Sequence, residues 1–384
     1  MTPGNPGQPN AAALTLRPVA TRAEARAFLH LPASLGGAAA GWGVALHYDT
    51  ARFFNPGFNG YLADHTVARW VAYRAGRPVG RIAAAHRPGA AGGSFGFLAL
   101  QPDPAVLAAL LAAAFAWLRS QGATQASGPF NLSINHEAGA QLSGFDRPAM
   151  IRMPRTPPWL PAMLDAAGLA PAQDVVARTL HLPTETHTAR FTPLLARWPG
   201  RAALRLRPLD PAHYQRDIAR FTQLFNQAWA NNWGAEPVGA AEAATIARVM
   251  RPMTRAGAIL FAEYQGEPIG VASVIPNLEE ATAPLNGRLL PFGWARVAHL
   301  MLTGRSRTGR LPVIGVAPAW RHHPAGAMAL GLLLAGCIAA ARARAWQELE
   351  ISWVLPQNLA MQQTCDRLGA PETGRWRIWQ TPLG

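Results

Sequence analysis

The sequence contains no lysine and only two cysteines among its 384 residues. Because Cys337 and Cys365 cannot form a disulfide framework, and no cysteine–histidine spacing matches a zinc site, we expect no metal centre. Scarce cysteine is typical of the reducing cytoplasm, which is the localisation that we expect. All 35 basic residues are arginines, which together with abundant Ala, Gly and Pro indicates a GC-rich coding bias.

Acidic residues are few, and the 21 Asp and Glu leave a formal net charge of +14. Such a charge is common in proteins that bind nucleic acid. The arginines are scattered along the chain, however, without the clustered runs of a nucleic-acid-binding arm. We therefore expect no nucleic-acid partner and favour an anionic ligand, with peripheral contact to an acidic lipid surface on the inner face of the membrane as a further option.

Long apolar runs are also scarce. Residues 325–341 form a run without a polar side chain, but a membrane-spanning helix needs about 20 such residues. Since the run is rich in Ala and Gly and is followed by Arg342 and Arg344, we predict a helix buried against a sheet. Residues 1–14 are rich in Pro, Gly and Asn and lack a basic segment with an apolar core, so we predict a disordered tail and not a signal peptide.

The first half of the chain shows an alternation of short helices and strands. Two strands joined by Ala75-Gly76-Arg77-Pro78 have the signature of a hairpin. An apolar helix follows Pro102-Asp103-Pro104 and stops at Gly122, as its end signals indicate. The elements predicted for this half are a helix over 22–29, a long loop over 42–59, strands over 67–74, 79–85 and 94–100, and a helix over 105–121.

The second half repeats this order. Strands over 257–264 and 269–274 are joined by Gln265-Gly266-Glu267-Pro268, and both hairpins share a Gly-x-Pro turn. The repeat indicates a duplicated α/β unit, although such a hairpin can also recur by chance. We predict an α/β protein with a mixed sheet, divided into an N-terminal domain over 15–182, a linker over 183–200 and a C-terminal domain over 201–384.

The most informative stretch lies near the C-terminal end. A strand over 313–316 leads into a turn over 321–327 and a long apolar helix, followed by a strand over 349–355 and a helix over 358–369. A turn of small residues that opens a helix leaves N–H groups unpaired at the positive end of the helix dipole, so it can bind a pyrophosphate. Arg321 would add a positive side chain. The alternative is an ordinary turn with surface Arg and His.

This order of elements resembles the acyl-CoA-binding half of a Gcn5-related N-acetyltransferase (GNAT) domain. The family's turn has Arg or Gln, two residues, Gly, one residue, and then Gly or Ala; Arg321 and Gly326 match its first and last positions. Pro324 replaces the inner glycine, which removes one N–H donor and fixes φ. The resemblance implies acyl-CoA as co-substrate, without a permanently bound cofactor, and it implies binding by Val316, Ala317, Arg321, His322, Ala325, Gly326, Ala327 and Asn358.

Five further motifs are similar, in order, to a group of bacterial tandem GNAT-like proteins that includes the bacterial ceramide synthases of sphingolipid biosynthesis. This likeness runs from about Arg22 to Trp379. The chain departs from the group at His322-His323-Pro324 and in a less aromatic 155–159, and either change could alter the acyl or acceptor preference. The motifs cover residues 128–139, 144–148, 153–159, 226–234 and 287–293.

For N-acyl transfer, the GNAT resemblance implies three chemical roles. A backbone N–H of a splayed strand, at Val316 or Ala317, would polarise the thioester carbonyl. The acid is often a Tyr seven residues after the Asn, and Cys365 stands there, either as an acid or as structural filler. The base would be Glu350 beside the thioester or His136 in the polar loop; the alternatives are a surface carboxylate and a solvated or structural histidine.

The acceptor site is expected among the first helices of the second half and in the polar loop. Trp229 and Trp233 are spaced i, i+4 and would share one face of a helix, either as a ligand wall or as ordinary core. Asn232, beside them, is harder to explain as core. The residues that we expect to bind the acceptor are Trp229, Asn232, Trp233, Asn135 and Glu137.

The resemblance therefore implies an N-acyltransferase that moves a fatty acyl group from acyl-CoA to the amine of a sphingoid base such as 3-ketosphinganine. The C-terminal half would bind acyl-CoA, and the N-terminal half would help to form the acceptor groove. Two alternatives stay open. One is acylation of another amine, such as an amino acid or a peptide; the other is a non-catalytic acyl-CoA-binding scaffold, which Pro324 and Cys365 favour.

Overall fold

The computed structural model of the protein describes residues 13–182 and 191–384, without the side chains of Phe191, Thr192 and Arg255. The described residues form a mixed α/β fold, as predicted. Its strands are β1 (Leu14–Pro18), β2 (Thr66–Arg74), β3 (Arg77–His86), β4 (Gly92–Leu100), β5 (Gln125–Gly128), β6 (Ala140–Ser143), β7 (Ala170–His181), β8 (Leu204–Pro208), β9 (Ala258–Tyr264), β10 (Glu267–Pro276), β11 (Thr308–Val316), β12 (Glu348–Val354) and β13 (Glu372–Pro382).

The α-helices vary in length from four to 19 residues. The predicted loop over 42–59 was wrong in part, because it contains a helix of seven residues, too short to show a periodic pattern. The α-helices are α1 (Arg22–Ser34), α2 (His47–Phe53), α3 (Pro104–Ser120), α4 (Leu160–Ala166), α5 (Phe191–Arg197), α6 (Tyr214–Trp229), α7 (Ala240–Ala256), α8 (Glu279–Thr282), α9 (Gly293–Thr303), α10 (Pro324–Arg342) and α11 (Leu359–Leu368).

All strands belong to one sheet in the order β1-β2-β3-β4-β5-β13-β7-β12-β11-β10-β9-β8, with β6 paired to β13. Each half contributes a hairpin, a third strand, a crossover helix and a parallel strand: β2-β3-β4-α3-β5 and β9-β10-β11-α10-β12. The remaining neighbours are antiparallel. This internal repeat confirms the prediction of two tandem α/β units.

Both hairpins turn through only two residues, Ala75-Gly76 and Gln265-Gly266, and all four have positive φ. Positive φ at both positions gives the mirror-image turn that matches the twist of paired strands. The predicted Gly-x-Pro turns were therefore too long. Pro78 and Pro268 lie inside β3 and β10, next to shifts in the strand register, where a residue without an N–H is best tolerated.

The two halves exchange their last strands. β7 pairs with β12 of the second half, whereas β13, at the end of the chain, lies between β5 and β7 and completes the first half. Main-chain hydrogen bonds thus join both halves. Residues 1–12 of the predicted tail and 183–190 of the predicted linker lie outside the described residues. The division into 15–182 and 201–384 stays a prediction, because strand pairing crosses it.

Helix α10 covers the second half of the sheet, as predicted for a buried apolar helix. It is long and apolar enough to cross a membrane, but it packs as a core helix. A Cβ at Gly336 would lie 2.6 Å from Cδ2 of Leu206, so the glycine lets the helix approach the sheet. One row of its residues at i, i+4 spacing is fully buried: Ala325, Ala329, Leu333, Cys337 and Ala341.

Polar contacts hold the halves together on the other face of the sheet. They involve residues 144–155 of the first half, which we call the crossing loop. Asn277 accepts a hydrogen bond from the Ile151 N–H at 3.0 Å. Arg147 forms an ion pair with Glu348 at 2.6 Å. These bonds fix the crossing loop against β10 and β12.

Candidate active site

β11 and β12 separate into a wedge in the middle of the second half. Their parallel pairing runs from Thr308 to Leu311 on β11 and from Glu348 to Ile351 on β12. After these residues, the described parts of the two strands are no longer paired with each other. The split begins at a β-bulge, where Leu311 and Pro312 lie opposite Val274 alone. Residues 312–316 are half-exposed, so the wedge is open to a ligand.

A main-chain donor faces this wedge from β11. Ala317 cannot be that donor, because its N–H donates to the Ile269 carbonyl at 2.8 Å. Bonded and non-bonded pairs alternate in an antiparallel ladder, so the N–H of Val316, opposite Gly270, points away from β10 and into the wedge. Of the two donors predicted from the sequence, the geometry leaves Val316.

The turn at the start of α10 is held by its own residues. His323 Nδ1 accepts a hydrogen bond from the Ala325 N–H at 3.0 Å and caps the helix. Pro324 is the first helical residue, where a missing N–H costs no helical hydrogen bond. A Cβ at Gly326 would lie 1.9 Å from the Trp320 carbonyl oxygen, so only glycine fits there. The Ala325 N–H is therefore already bonded and is not a free donor for a phosphate.

Exposed basic side chains surround this helix start: Arg321, His322 and His323. Arg321 Nη2 donates to the Ala228 carbonyl on α6, which fixes the guanidinium beside the wedge. Ala327 is exposed on the first turn of α10. Together with the positive end of the helix dipole, these groups favour an anion such as a pyrophosphate.

The equivalent wedge of the first half is filled by the chain itself. β4 and β5 pair only between Gly92–Ser94 and Gln125–Ser127, and the loop after β5 enters the gap. Asn131 Oδ1 accepts the Phe97 N–H at 2.7 Å. Asp103 caps α3 and places a carboxylate where α10 has a histidine. Of the two wedges, only the one in the second half is open and lies next to a positively charged helix start.

Glu350 lies at the closed end of the open wedge. Its Oε1 accepts a hydrogen bond from the Ser352 hydroxyl at 2.6 Å, and that hydroxyl in turn accepts one from Arg310 Nε at 2.8 Å. The residue is 9% exposed. Burial raises the pKa of Glu350, while the positive charge of Arg310 opposes that rise. A buried carboxylate of this kind can accept a proton from an amine near neutral pH.

A cavity opens onto Glu350 between the crossing loop and β13. Its free volume is about 340 Å³, including the part open to solvent. Met150, Met153 and Trp376 give it an apolar wall beside the carboxylate. The space that a water-sized molecule can occupy inside it is only about 20 Å³, so the cavity is a small opening beside the carboxylate, and Arg147 and Arg155 also line it.

His136 has a different environment. Its Nδ1 lies 2.9 Å from the Ser133 hydroxyl, its Nε2 lies 3.8 Å from Glu242, and its ring packs edge-on against Tyr61. Burial, aided by the charge of Arg152, lowers the pKa of His136 to about 3. The imidazole is then neutral and weakly basic at pH 7, which favours the structural alternative over the role of base.

Cys365 anchors α11 in the core, and Asn358 caps the start of that helix. Cys365 is fully buried in the core beside Leu368, and burial raises the pKa of its thiol to about 11. A buried thiol that is held by core packing fits the structural alternative better than the role of acid. Asn358 Oδ1 accepts the Met361 N–H at 3.2 Å and caps the helix.

Both predicted tryptophans lie near the wedge but not on one helix. The ring of Trp229 covers β11, since a Cβ at Gly315 would lie 2.8 Å from its Cη2 atom. α6 ends at Trp229, so the predicted shared helical face was wrong; the asparagines and glycine around Trp233 disfavour a longer helix. Trp233 instead packs against the same apolar cluster as Ile134 and Trp353.

The remaining predicted acceptor residues lie on loops of both halves. Asn135 Nδ2 donates to the Glu236 carbonyl at 2.8 Å. Glu137 Oε2 accepts from Asn131 Nδ2 at 2.6 Å, which holds the loop that fills the first wedge. Asn232 is exposed at the turn after α6.

Three charged residues where the crossing loop meets the second half were missed in the sequence: Arg310, Arg152 and Glu279. Burial raises the pKa of Glu279 to about 7, and the positive charge of Arg152 opposes the rise. Arg310 is buried, and its Nη1 donates to the Ile151 carbonyl at 3.0 Å. No motif marks these residues. The available signal was an arginine placed inside an apolar strand, which must find partners when it is buried.

Comparisons with known proteins agree with this geometry. The bacterial ceramide synthase of Caulobacter vibrioides (strain NA1000 / CB15N) is 33% identical over 383 residues, which cover 96% of this chain and 98% of that protein. The chain belongs to the bacterial ceramide synthase family. Protein YghO of Escherichia coli (strain K12) is 32% identical over 368 residues and covers 93% of both chains. No family model matches the chain.

Solved structures show the same fold. A tandem GNAT protein from the clavulanic acid biosynthesis pathway aligns with a TM-score of 0.55 and 18% identity, covering 97% of this chain and 99% of that one. A GCN5-related N-acetyltransferase from Sphaerobacter thermophilus aligns with a TM-score of 0.53 and 11% identity, covering 96% of both. This member of the bacterial ceramide synthase family therefore has two tandem GNAT-like units and is a GNAT-type N-acyltransferase.

Proposed function

We propose that the protein transfers a fatty acyl group from acyl-CoA to the primary amine of a sphingoid base. The observation that carries the proposal is the pairing of one open wedge with one buried carboxylate, Glu350, at its closed end. The name of the Caulobacter relative supports ceramide formation as the reaction. The buried, unpaired cysteines are compatible with work in the reducing cytoplasm.

The length of CoA decides where its thioester lies. The pyrophosphate would bind at the start of α10, beside Arg321. The pantetheine arm would then run back along β11 from Val316 towards Leu311, a distance of roughly 17 Å at the usual rise of a strand. The Val316 N–H is therefore placed to bind an amide of this arm and not the thioester carbonyl, which was the role expected from the sequence. The thioester would reach the closed end of the wedge, beside Glu350.

The proposed step is a direct acyl transfer. The neutral amine nitrogen attacks the thioester carbonyl carbon, a C–N bond forms and the C–S bond breaks. The amine proton passes to the carboxylate of Glu350, and CoA leaves as its thiolate, which takes a proton from solvent. Because the thiolate is a stable leaving group, no acid is required from Cys365.

The acceptor would approach from the cavity between the halves. Its apolar chain would lie against Met150, Met153 and Trp376, and its amine would point to Glu350. Glu350, which lines the cavity, would attract the ammonium form of the acceptor before a proton is lost. The apolar wall favours a long-chain amine over an amino acid or a peptide.

The test is an acylation assay with purified protein, palmitoyl-CoA and either 3-ketosphinganine or a panel of amino acids. Release of the CoA thiol and the mass of the product would both be measured. We expect an N-acylated sphingoid base and no amino-acid product. If the protein bound palmitoyl-CoA but acylated neither class of amine, the proposed enzymatic activity would be contradicted, and a non-catalytic acyl-CoA-binding scaffold would be favoured.

A further inference from the structure

The connection between β10 and β11 carries an exposed apolar surface. Leu290, Phe292 and Trp294 are 75%, 79% and 54% exposed, and Leu302 of α9 is 71% exposed. Trp294 and Leu302 are eight residues apart on α9 and so lie on one face of the helix. We call these four side chains the apolar tip. Large side chains grouped in this way on a protein surface mark an interaction site.

The apolar tip is surrounded by positive charge. The segment 286–308 contains four arginines, Arg288, Arg296, Arg305 and Arg307, and no Asp or Glu. All four are exposed, and none forms an ion pair with a described residue. Aromatic and aliphatic side chains that share a segment with exposed arginines match the boundary between the headgroups and acyl chains of an anionic bilayer.

The tip is anchored to the body of the protein near the candidate site. The Gly287 carbonyl accepts the His47 N–H at 2.9 Å, so the base of the segment is bonded to the first half. The helix before it carries Glu279, which lies near Arg152 of the crossing loop. Because the segment is bonded to the first half, a partner that binds the apolar tip would lie close to the contact between the halves.

We propose that the apolar tip and its four arginines dock the protein on an anionic phospholipid bilayer. The three exposed side chains of residues 290–294 enter the interface, and the arginines contact lipid phosphates. The proposal concerns binding alone and holds for any acceptor amine, so its failure would leave the proposed reaction untouched.

Binding is tested by sedimentation of the full-length protein with vesicles of phosphatidylglycerol and phosphatidylcholine, compared with phosphatidylcholine alone. We expect binding to the anionic vesicles that weakens as salt rises, because screening reduces the arginine contribution. The triple variant Leu290→Ser, Phe292→Ser, Trp294→Ser should bind more than about tenfold less tightly. The matched control Leu194→Ser removes a leucine that is 61% exposed outside the tip, and it should bind like the wild type.

Insertion is tested with a fluorescent label. Both natural cysteines are buried, so a polarity-sensitive dye attached to Phe292→Cys reports on this position alone. Anionic vesicles should shift its emission to the blue, whereas a dye at Leu194→Cys should not respond. Equal vesicle binding by the wild type and the triple variant would overturn the proposal, as would a tip that is buried by self-association in sedimentation velocity without lipid.

Discussion

Asn131 Oδ1 accepts the Phe97 N–H at 2.7 Å, inside the wedge of the first half. Among the described residues, no side chain forms a corresponding bond in the wedge of the second half, and the Val316 N–H points into that wedge. One duplicated fold has thus produced two different sites. The first half uses its splayed strands to hold its own loop, and the second keeps them open for a ligand.

Replacing Arg321 should weaken CoA binding. We expect Arg321→Ala to lose about 1–3 kcal/mol of binding free energy, the range for a charge-assisted hydrogen bond. Isothermal titration calorimetry with CoA measures this loss. Arg119→Ala, at the exposed end of α3, is the matched control and should bind CoA normally. Unchanged affinity in Arg321→Ala would move the phosphate site away from α10.

Replacing Glu350 should remove the base. Glu350→Gln keeps the size and the acceptor for Ser352, so we expect CoA affinity to persist while kcat falls by about 10²–10⁴. Since burial raises the pKa of Glu350 and the base must be deprotonated, wild-type kcat/KM should fall as pH drops through that raised value. If kcat/KM of Glu350→Gln fell at low pH in the same way as that of the wild type, another residue would be the base.

Replacing His136 should have a different effect. Because burial lowers its pKa to about 3, the imidazole is neutral across the useful pH range. We expect His136→Asn to raise the KM for the acceptor and to lower the melting temperature, with the pH profile of kcat unchanged. A kcat loss like that of Glu350→Gln, in a variant with a normal circular dichroism spectrum, would reverse the two assignments.

Replacing Cys365 should affect stability more than catalysis. The thiol is fully buried, so Cys365→Ser places a hydroxyl in an apolar core and should lower the free energy of unfolding by about 1–3 kcal/mol. The acylation rate should fall less than about tenfold, since CoA leaves without an acid. A rate loss of a hundredfold or more would show that Cys365 donates a proton; Cys337→Ser is the control for a core cysteine on α10.

Glu242 should make stability depend on pH. Burial raises its pKa from 4.5 to about 7, with the charge of Glu236 adding to the rise. Between these values the folded state binds more protons than the unfolded state, so stability falls as pH rises through this window, by about 3 kcal/mol. Glu242→Gln should lose this dependence and be more stable than the wild type at pH 8. Denaturant unfolding at pH 5 and pH 8 measures both; equal pH slopes would contradict the prediction.

Much of the fold follows from local sequence patterns. Strand candidates joined by turns that contain Gly and Pro predicted the two hairpins, and end signals such as Asp103 and Gly122 predicted α3, because turn and cap signals act within a few residues. The turn at Arg321 and Gly326 was recognised for the same reason. α2 was missed because a seven-residue helix is too short to show a period.

The candidate site could be predicted from the sequence only in part. The sequence placed Arg321, Val316 and Glu350 on the correct elements, and it left two donors, two bases and two roles for Cys365 open. Burial distinguishes among these, because it sets the pKa values of His136 and Glu350. The register of β10 and β11 decides between Val316 and Ala317. Arg310 and Glu279 had no sequence signal, since their partners come from distant parts of the chain.

The sequence by itself determined the two α/β units, the turn that opens α10 and the family, because each depends on residues that are close along the chain. Only the tertiary structure decided that β7 and β13 change places, that Asn131 fills the first wedge, and that Glu350 is buried against Arg310. Strand pairing between distant segments and the removal of charges from water depend on the whole packed sheet. For that reason no local pattern could reveal them.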